Sequence, residues 1–146
     1  MNHTYTKLWT HVVFSTKNRE HLILPPLEPR LYTHIHDYML ELGCVVRIIN
    51  GTSNHIHILF LQSPNKSLAE IIKNVKSNSS HWVNQNELSQ KKFSWQAGYG
   101  AFSVSESQVL RVHTYIANQK AHHLKEDFIG EYQHLIELHK LKVEEI

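Results

Sequence analysis

Residues Ser53–Phe60 read SNHIHILF, an apolar run interrupted by two histidines at alternate positions. On a strand, successive side chains point to opposite faces, so His55 and His57 share one face while Ile56, Ile58 and Phe60 share the other. Just upstream lie CVVRII (44–49) and the pair Asn50-Gly51, a strong hairpin signal. The two apolar runs therefore read as a hairpin joined at Asn50-Gly51, with both histidines on its second strand. Val or Ile would pack better there. Neutral imidazole is a common metal ligand, and two rings at adjacent same-face positions can converge on one ion. For an isolated His-x-His, a pair of hydrogen-bonded, half-buried histidines is the plainer reading.

Working outward, TKLWTHVVFST (6–16) alternates, with Leu8, Thr10, Val12 and Phe14 on one side, and reads as a first strand. A basic loop follows, closed by Pro25-Pro26. Leu27, Leu31, Ile35, Tyr38, Met39 and Leu42 then form a helical stripe stopped by Gly43. After the hairpin, SLAEIIKNVKSNSSHWV (67–83) opens with Ser67 and Glu70 in capping-box spacing and buries Leu68, Ile71, Ile72, Val75 and Trp82. A Gly- and aromatic-rich connection leads into a short strand near 101–104. SESQVLRVHTYIANQKAHHL (105–124) again starts in capping-box spacing, with Val109, Val112 and Ile116 as its core stripe. A last amphipathic helix runs from Asp127 to about Leu141, using Phe128, Leu135 and Ile136. The order β-α-β-β-α-β-α-α predicts an α+β, ferredoxin/RRM-like fold: an antiparallel four-stranded sheet with helices on one face. The other face, carrying the histidines, is expected to be open.

The chain has 146 residues, the size of one domain, and no repeat or linker divides residues 1–146. Apolar content of 41% with 19% charged residues excludes a disordered chain. A lone cysteine, Cys44, excludes an internal disulfide framework and a cysteine-based zinc site. No stretch approaches the roughly 20 apolar residues of a membrane span, and the N-terminus lacks an apolar signal core, so no membrane association and a cytoplasmic location are expected. Net charge is only +2, but it is unevenly spread. Residues 43–125 hold nine Lys/Arg against three Glu, and residues 126–146 hold six acids against two Lys, a weak pointer to a polyanionic partner.

On the helix after the last strand, Arg111, Tyr115, Gln119 and His122 fall within roughly 80° of one another, apart from the core stripe. Tyr115 and Gln119, four residues apart, place a phenol and an amide oxygen on adjacent turns. Alone this is an ordinary polar surface stripe. Joined to His55 and His57, it supplies three metal ligands and a nucleophile. A divalent ion can polarise a phosphodiester oxygen, and a phenol with a pKa near 10 attacks more readily beside a cation. His34 and His36 form a second His-x-His, but on a helix they lie about 200° apart and cannot chelate together.

HIHILF (55–60), WQAGYGAFSVSESQ (95–108), YIANQKAHH (115–123), HVVFSTKNRE (11–20) and the 67–80 helix together resemble the single-tyrosine HUH transposases of the insertion sequence 200/605 type, including their repeat-associated relatives. The likeness runs from about Trp9 to His139. It implies an enzyme that cuts and rejoins single-stranded DNA at hairpin ends. Tyr115 would be the nucleophile, forming a 5′-phosphotyrosine, and His55, His57 and Gln119 would hold Mg²⁺ or Mn²⁺. His122 and His123 would be accessory ligands or phosphate contacts. The family works as a homodimer whose sites often pair the histidines of one subunit with the tyrosine helix of the other. Tyr99 and Tyr132 are rival nucleophiles, less well placed than Tyr115.

Lys17, Arg19, Arg47, Lys73, Lys76, Lys91, Lys92 and Arg111 are candidate phosphate contacts, and Trp95 and Tyr99 candidate stacking platforms for unpaired bases. Two other readings compete. One is a domesticated module that binds hairpin DNA without cutting it. The other is a metal-dependent phosphoesterase using water, for which a second histidine motif is missing.

Overall fold

In the computed structural model, residues 3–122 and 128–139 are described. The elements are β1 (Trp9–Ser15), α1 (Glu28–Glu41), β2 (Val45–Gly51), β3 (His55–Leu61), α2 (Leu68–Gln85), β4 (Gly100–Ser103), α3 (Val109–Ala117), α4 (Gln119–His122) and α5 (Phe128–Leu138). Single 3-10 turns at Lys17–Arg19 and Glu106–Gln108 precede α1 and α3. The strands form one sheet in the order β2-β3-β1-β4, every neighbouring pair antiparallel. This is the expected α+β, ferredoxin-like arrangement, and it makes β1 and β3 the two central strands.

Local chemistry explains most boundaries. Ser67 caps α2 by accepting a 3.1 Å hydrogen bond from the Glu70 backbone N–H. α1 stops where Gly43 takes φ +83°, a left-handed conformation that glycine adopts at little cost. Val12, Phe14, Ile56, Ile58 and Phe60 point to one sheet face and are sealed by Leu31, Ile35 and Met39 of α1 and Ile71, Ile72 and Val75 of α2. That half of the molecule is a conventional apolar core.

Three expectations need correction. The histidine face is not open: Leu59, Val13 and Phe102 on it pack with Val109, Val112, Tyr115 and Ile116 of α3 and Leu135 of α5, so helices cover both faces. The hairpin does not turn at Asn50-Gly51. Both residues stay in β2, opposite His57 and Ile56, and the chain turns through Thr52–Asn54. A Cβ at position 51 would sit 2.1 Å from the His55 carbonyl oxygen, so Gly51 permits a close backbone approach instead of a turn. Finally, the Ser105 side chain does not cap the next helix. The 3-10 turn intervenes, and Glu106 accepts hydrogen bonds from Lys7 Nζ and Trp9 Nε1.

Among the described residues, no helix is long and apolar enough to cross a membrane.

Candidate active site

Strand register places the histidines. His57 lies opposite Val13 and His55 opposite Ser15, so both rings stand on the α3 side of the sheet's central pair of strands. Each is essentially buried. α3 ends at Ala117, Asn118 leaves the helical path, and α4 begins at Gln119. Tyr115 and Gln119 are therefore on two helices, separated by a one-residue break, yet both point to the histidines. Tyr115 is 9% exposed and packs among Val109, Val112 and Ile116, so it belongs to the core stripe from which it was expected to be separate.

A residue that the sequence reading passed over sits at the centre. Glu131 of α5 is 3% exposed and reaches three groups. Its Oε1 is 2.7 Å from His57 Nε2 and accepts a 3.0 Å hydrogen bond from the Tyr115 hydroxyl, while its Oε2 is 3.1 Å from His55 Nε2. Gln119 Oε1 approaches the same His55 nitrogen at 3.3 Å. Burial pushes the Glu131 carboxyl up, but hydrogen bonds and charge from His55 and His57 more than reverse this, holding it well below the usual carboxylate range. It is an anion. The signal available in sequence was its place four residues before Leu135, on the buried side of an amphipathic helix.

The other missed residue is His11, fully buried on β1. Its Nε2 lies 2.9 Å from His57 Nδ1, and its Nδ1 lies 2.9 Å from His139 Nε2. Burial, then the neighbouring His57 and His139, holds His11 far below the ordinary histidine range, and burial first lowers His139 to about 4. Both are neutral imidazoles near pH 7.

The donor set fits a divalent ion. Two ligands in adjacent positions around an ion with bonds of about 2.1 Å sit about 3 Å apart. The two histidine–carboxylate separations, 2.7 and 3.1 Å, already match that spacing, and the ligand atoms of His55, His57 and Glu131 lie within 4.8 Å of one another. Gln119 is fully buried and its Nε2 has no hydrogen-bond partner among the described residues, while its oxygen faces the cluster. A cavity of about 470 Å³ opens beside Glu131, lined by Val13, Ser15, Tyr99, Phe102 and Leu135 among others.

The remaining candidates are scattered. Lys17 and Arg19 are exposed in the turn after β1, and Lys91 pairs with Glu20 at 3.8 Å on the surface. Lys92 is exposed close by. Lys73 is exposed on α2, whereas Lys76 Nζ donates to the carbonyls of Gln96 (2.6 Å) and Gly98 (2.8 Å), bracing the 96–99 loop. Arg47 and Arg111 are exposed near α3, with Arg47 Nε donating to His113 Nδ1 at 3.1 Å. Trp95 is a core aromatic. Its ring meets Phe14 and Phe93 edge-on, and its Nε1 donates to Ser79 Oγ. Tyr99 is 41% exposed at the cavity rim. His34 stacks on Trp82 and bonds Asn78, apart from His36, which pairs with Asp37. His123 lies outside the described residues, as do the side chains of His122, Phe128, Tyr132 and Ile136.

Comparison with solved structures gives the same fold. A protein assigned as a transposase from Deinococcus radiodurans R1 superposes with a TM-score of 0.64 at 19% identity, covering 82% of this chain and 96% of that one. A REP-associated tyrosine transposase, solved bound to a REP hairpin, gives 0.62 at 13% identity, covering 84% of this chain and 72% of that one. No curated protein matches the chain significantly. The family model described as "Transposase IS200 like" matches residues 4–119, from before β1 through Tyr115 to Gln119. The chain belongs to the IS200-like transposase family.

Proposed function

We propose that this protein cleaves and rejoins single-stranded DNA at hairpin ends through a covalent phosphotyrosine on Tyr115, assisted by a divalent ion. The observation that carries the proposal is the convergence of the Tyr115 hydroxyl and the His55 and His57 Nε2 atoms on the one Glu131 carboxylate. Family membership supports transposition as the setting, and the fold neighbour that binds a REP hairpin supports hairpin DNA as the substrate.

His55, His57 and Gln119 would hold the ion, with Glu131 as a fourth donor. Two imidazoles beside carboxylate and amide oxygens suit Mn²⁺ better than Mg²⁺, which takes oxygen ligands by preference. When bound, the ion supplies positive charge that polarises a phosphodiester oxygen and favours the ionised phenol. The protein does the rest. Tyr115 Oη bonds to phosphorus as the P–O3′ bond breaks, giving a 5′-phosphotyrosine and a 3′-hydroxyl. Glu131 orients the phenol by accepting its hydrogen bond, and its depressed pKa makes it a poor final home for the proton, which passes to water while the departing 3′ oxygen takes one up. Rejoining is the reverse step with a new 3′-hydroxyl. Bond energy is conserved and no nucleotide cofactor is required.

All the proposed groups come from one chain. We keep the homodimer as the assembly that brings two DNA ends together, with each copy holding its own complete site. Lys17, Arg19, Arg47, Lys73, Lys91, Lys92 and Arg111 serve as phosphate contacts in this proposal, with Lys76 also bracing a loop.

The test is incubation with labelled single strands of the flanking genomic DNA and Mn²⁺ on a denaturing gel. A protein–DNA adduct in wild type that is missing in Tyr115→Phe supports the proposal. Tight binding without an adduct supports a binding module, and cleavage without an adduct a water-using phosphoesterase. Either result would overturn the proposal.

A further inference from the structure

We infer that His11 is a positioning residue: it fixes the tautomer of His57 in which Nε2 is bare and ready for a metal ion, with His139 as the outer end of a three-imidazole chain. This rests on the reading of His57 as a metal ligand.

The geometry is a line of three rings. His57 Nδ1 meets His11 Nε2, and His11 Nδ1 meets His139 Nε2, each at 2.9 Å. His11 and His57 have no measurable exposure, so no water competes at the inner contact. His139 is half-buried, and its ring lies flat on Phe102, 4.2 Å away and tilted by 9°. The three rings are held in place by strand register and stacking.

A neutral imidazole carries one N–H and one bare nitrogen, so it donates on one side and accepts on the other. In a chain of such rings each contact needs one donor and one acceptor, and the state of one end therefore sets every ring. Without a metal, the 2.7 Å contact between His57 Nε2 and the Glu131 anion needs a proton on Nε2. In a neutral His57 ring Nδ1 is then bare and accepts from His11 Nε2–H, while His11 Nδ1 is bare and accepts from His139 Nε2–H. Metal ligation needs the opposite setting. His57 Nε2 must be bare, its Nδ1–H donates to His11 Nε2, and His11 Nδ1–H donates to His139 Nε2. With the three rings neutral, the two settings differ by three coupled tautomer changes.

Ligand histidines usually donate their second N–H to a carboxylate, carbonyl or water. Here that role falls to a neutral ring that is itself reversible, so the same residue serves both settings. A carbonyl in its place would accept but never donate, and would favour the metal-ready form permanently. Leucine at position 11 would leave the His57 Nδ1–H buried with no acceptor. Glutamine can present an amide oxygen to the same atom.

Two measurements test this. Calorimetric Mn²⁺ titration should show binding weakened about 10–100-fold in His11→Leu, the range for lost outer partners of metal ligands, and largely restored in His11→Gln. Circular dichroism checks that each variant is folded. On wild type labelled with ¹⁵N-histidine, long-range ¹H–¹⁵N spectra should show His57 and His11 protonated at Nε2 without metal and at Nδ1 with Zn²⁺, a diamagnetic probe. Unchanged affinity in a folded His11→Leu, or a His11 tautomer that stays the same with and without Zn²⁺, overturns the inference and leaves the metal centre standing. A wild type that binds neither ion overturns both. The spectra need no substitution, so they decide the matter even if His11→Leu does not fold.

Discussion

Tyr115 and Glu131 are sixteen residues apart on different helices, yet the phenol donates a 3.0 Å hydrogen bond to the carboxylate in a buried setting. The proposed nucleophile is thus held by an anion. A phenolate there would face that carboxylate directly, and like charges repel. A divalent ion held by His55, His57 and Glu131 would offset that repulsion, so in the proposed mechanism nucleophile activation and metal binding are coupled through one side chain.

Tyr115→Phe removes one oxygen and keeps the ring in its pocket. Stability should fall by about 1 kcal/mol, the worth of one hydrogen bond, and Mn²⁺ affinity should change little. Adduct and strand cleavage should vanish on a denaturing gel. Cleavage slowed only several-fold would mean that Tyr115 is a hydrogen-bonding bystander.

Glu131→Ala leaves His55 and His57 facing an empty, buried space. Removing one partner of a buried ionic cluster costs about 3–5 kcal/mol, and urea unfolding of the metal-free protein should show a loss of that order. Mn²⁺ binding should weaken as well. Stability within 1 kcal/mol of wild type would show that the carboxylate adds nothing to the native state.

Gly51→Ala puts a methyl group 2.1 Å from the His55 carbonyl oxygen, and the neighbour is backbone, which cannot swing away. The hairpin must shift, at about 1–3 kcal/mol by the usual cost of overpacking, and His55 moves with it. Urea unfolding and Mn²⁺ titration should both register the change. A variant with wild-type midpoint and affinity would mean that the turn relaxes freely.

His11 and His139 make the fold acid-sensitive in a definite window. Their folded-state pKa values lie below the ordinary value of about 6.5, so the unfolded chain takes up protons that the native state refuses. Their contribution is fully present above about pH 6.5 and is lost as pH falls toward the native value, about 4 for His139. Glu131 acts lower: its pKa is depressed, so its contribution is present above the unfolded carboxyl value of about 4.3 and is lost as pH falls further. Urea midpoints between pH 7.5 and 4 should decline, and more shallowly in His139→Gln. Parallel profiles would exclude His139 as a source.

Mixing Tyr115→Phe with His55→Ala protein distinguishes a site built within one chain from a shared one. With every group supplied by a single chain, the mixture should stay inactive in the adduct assay, whatever mass light scattering reports. Recovered activity would mean that the tyrosine helix crosses between subunits.

Much of the fold was legible because it rests on local periodicity. The alternation of His55 with Ile56 and of His57 with Ile58 gave the strand its two faces, and the spacing of Leu31, Ile35 and Met39 gave α1 its buried stripe. Asn50-Gly51 misled because both residues are held in β2: the Asn50 side chain bonds carbonyls of α3, and Gly51 makes room for the His55 backbone across the hairpin. The histidine face was expected to be open because the element order implies helices on one face of the sheet, whereas residues of α3 and α5 pack onto the other face as well. Glu131 was counted as one of six acids in a tail, since nothing within four residues marks a glutamate as a histidine partner. His11 likewise gains its meaning from pairing with a strand 46 residues away.

Asn50 sits opposite His57 in the sheet, and its amide nitrogen reaches the carbonyls of Ile116 at 2.9 Å and Ala117 at 3.2 Å, just before the break at Asn118. Lys120 fastens the far side of that break, donating to Asn50 Oδ1 at 2.7 Å and pairing with Glu28 at 2.9 Å. The joint between the tyrosine helix and its successor is therefore riveted to the strand beside the histidines. That joint is held from both sides. In the proposed strand exchange the tyrosine would stay put while the DNA ends trade places over it, so the choice of which ends are sealed would pass to whatever carries the free 3′-hydroxyl into reach.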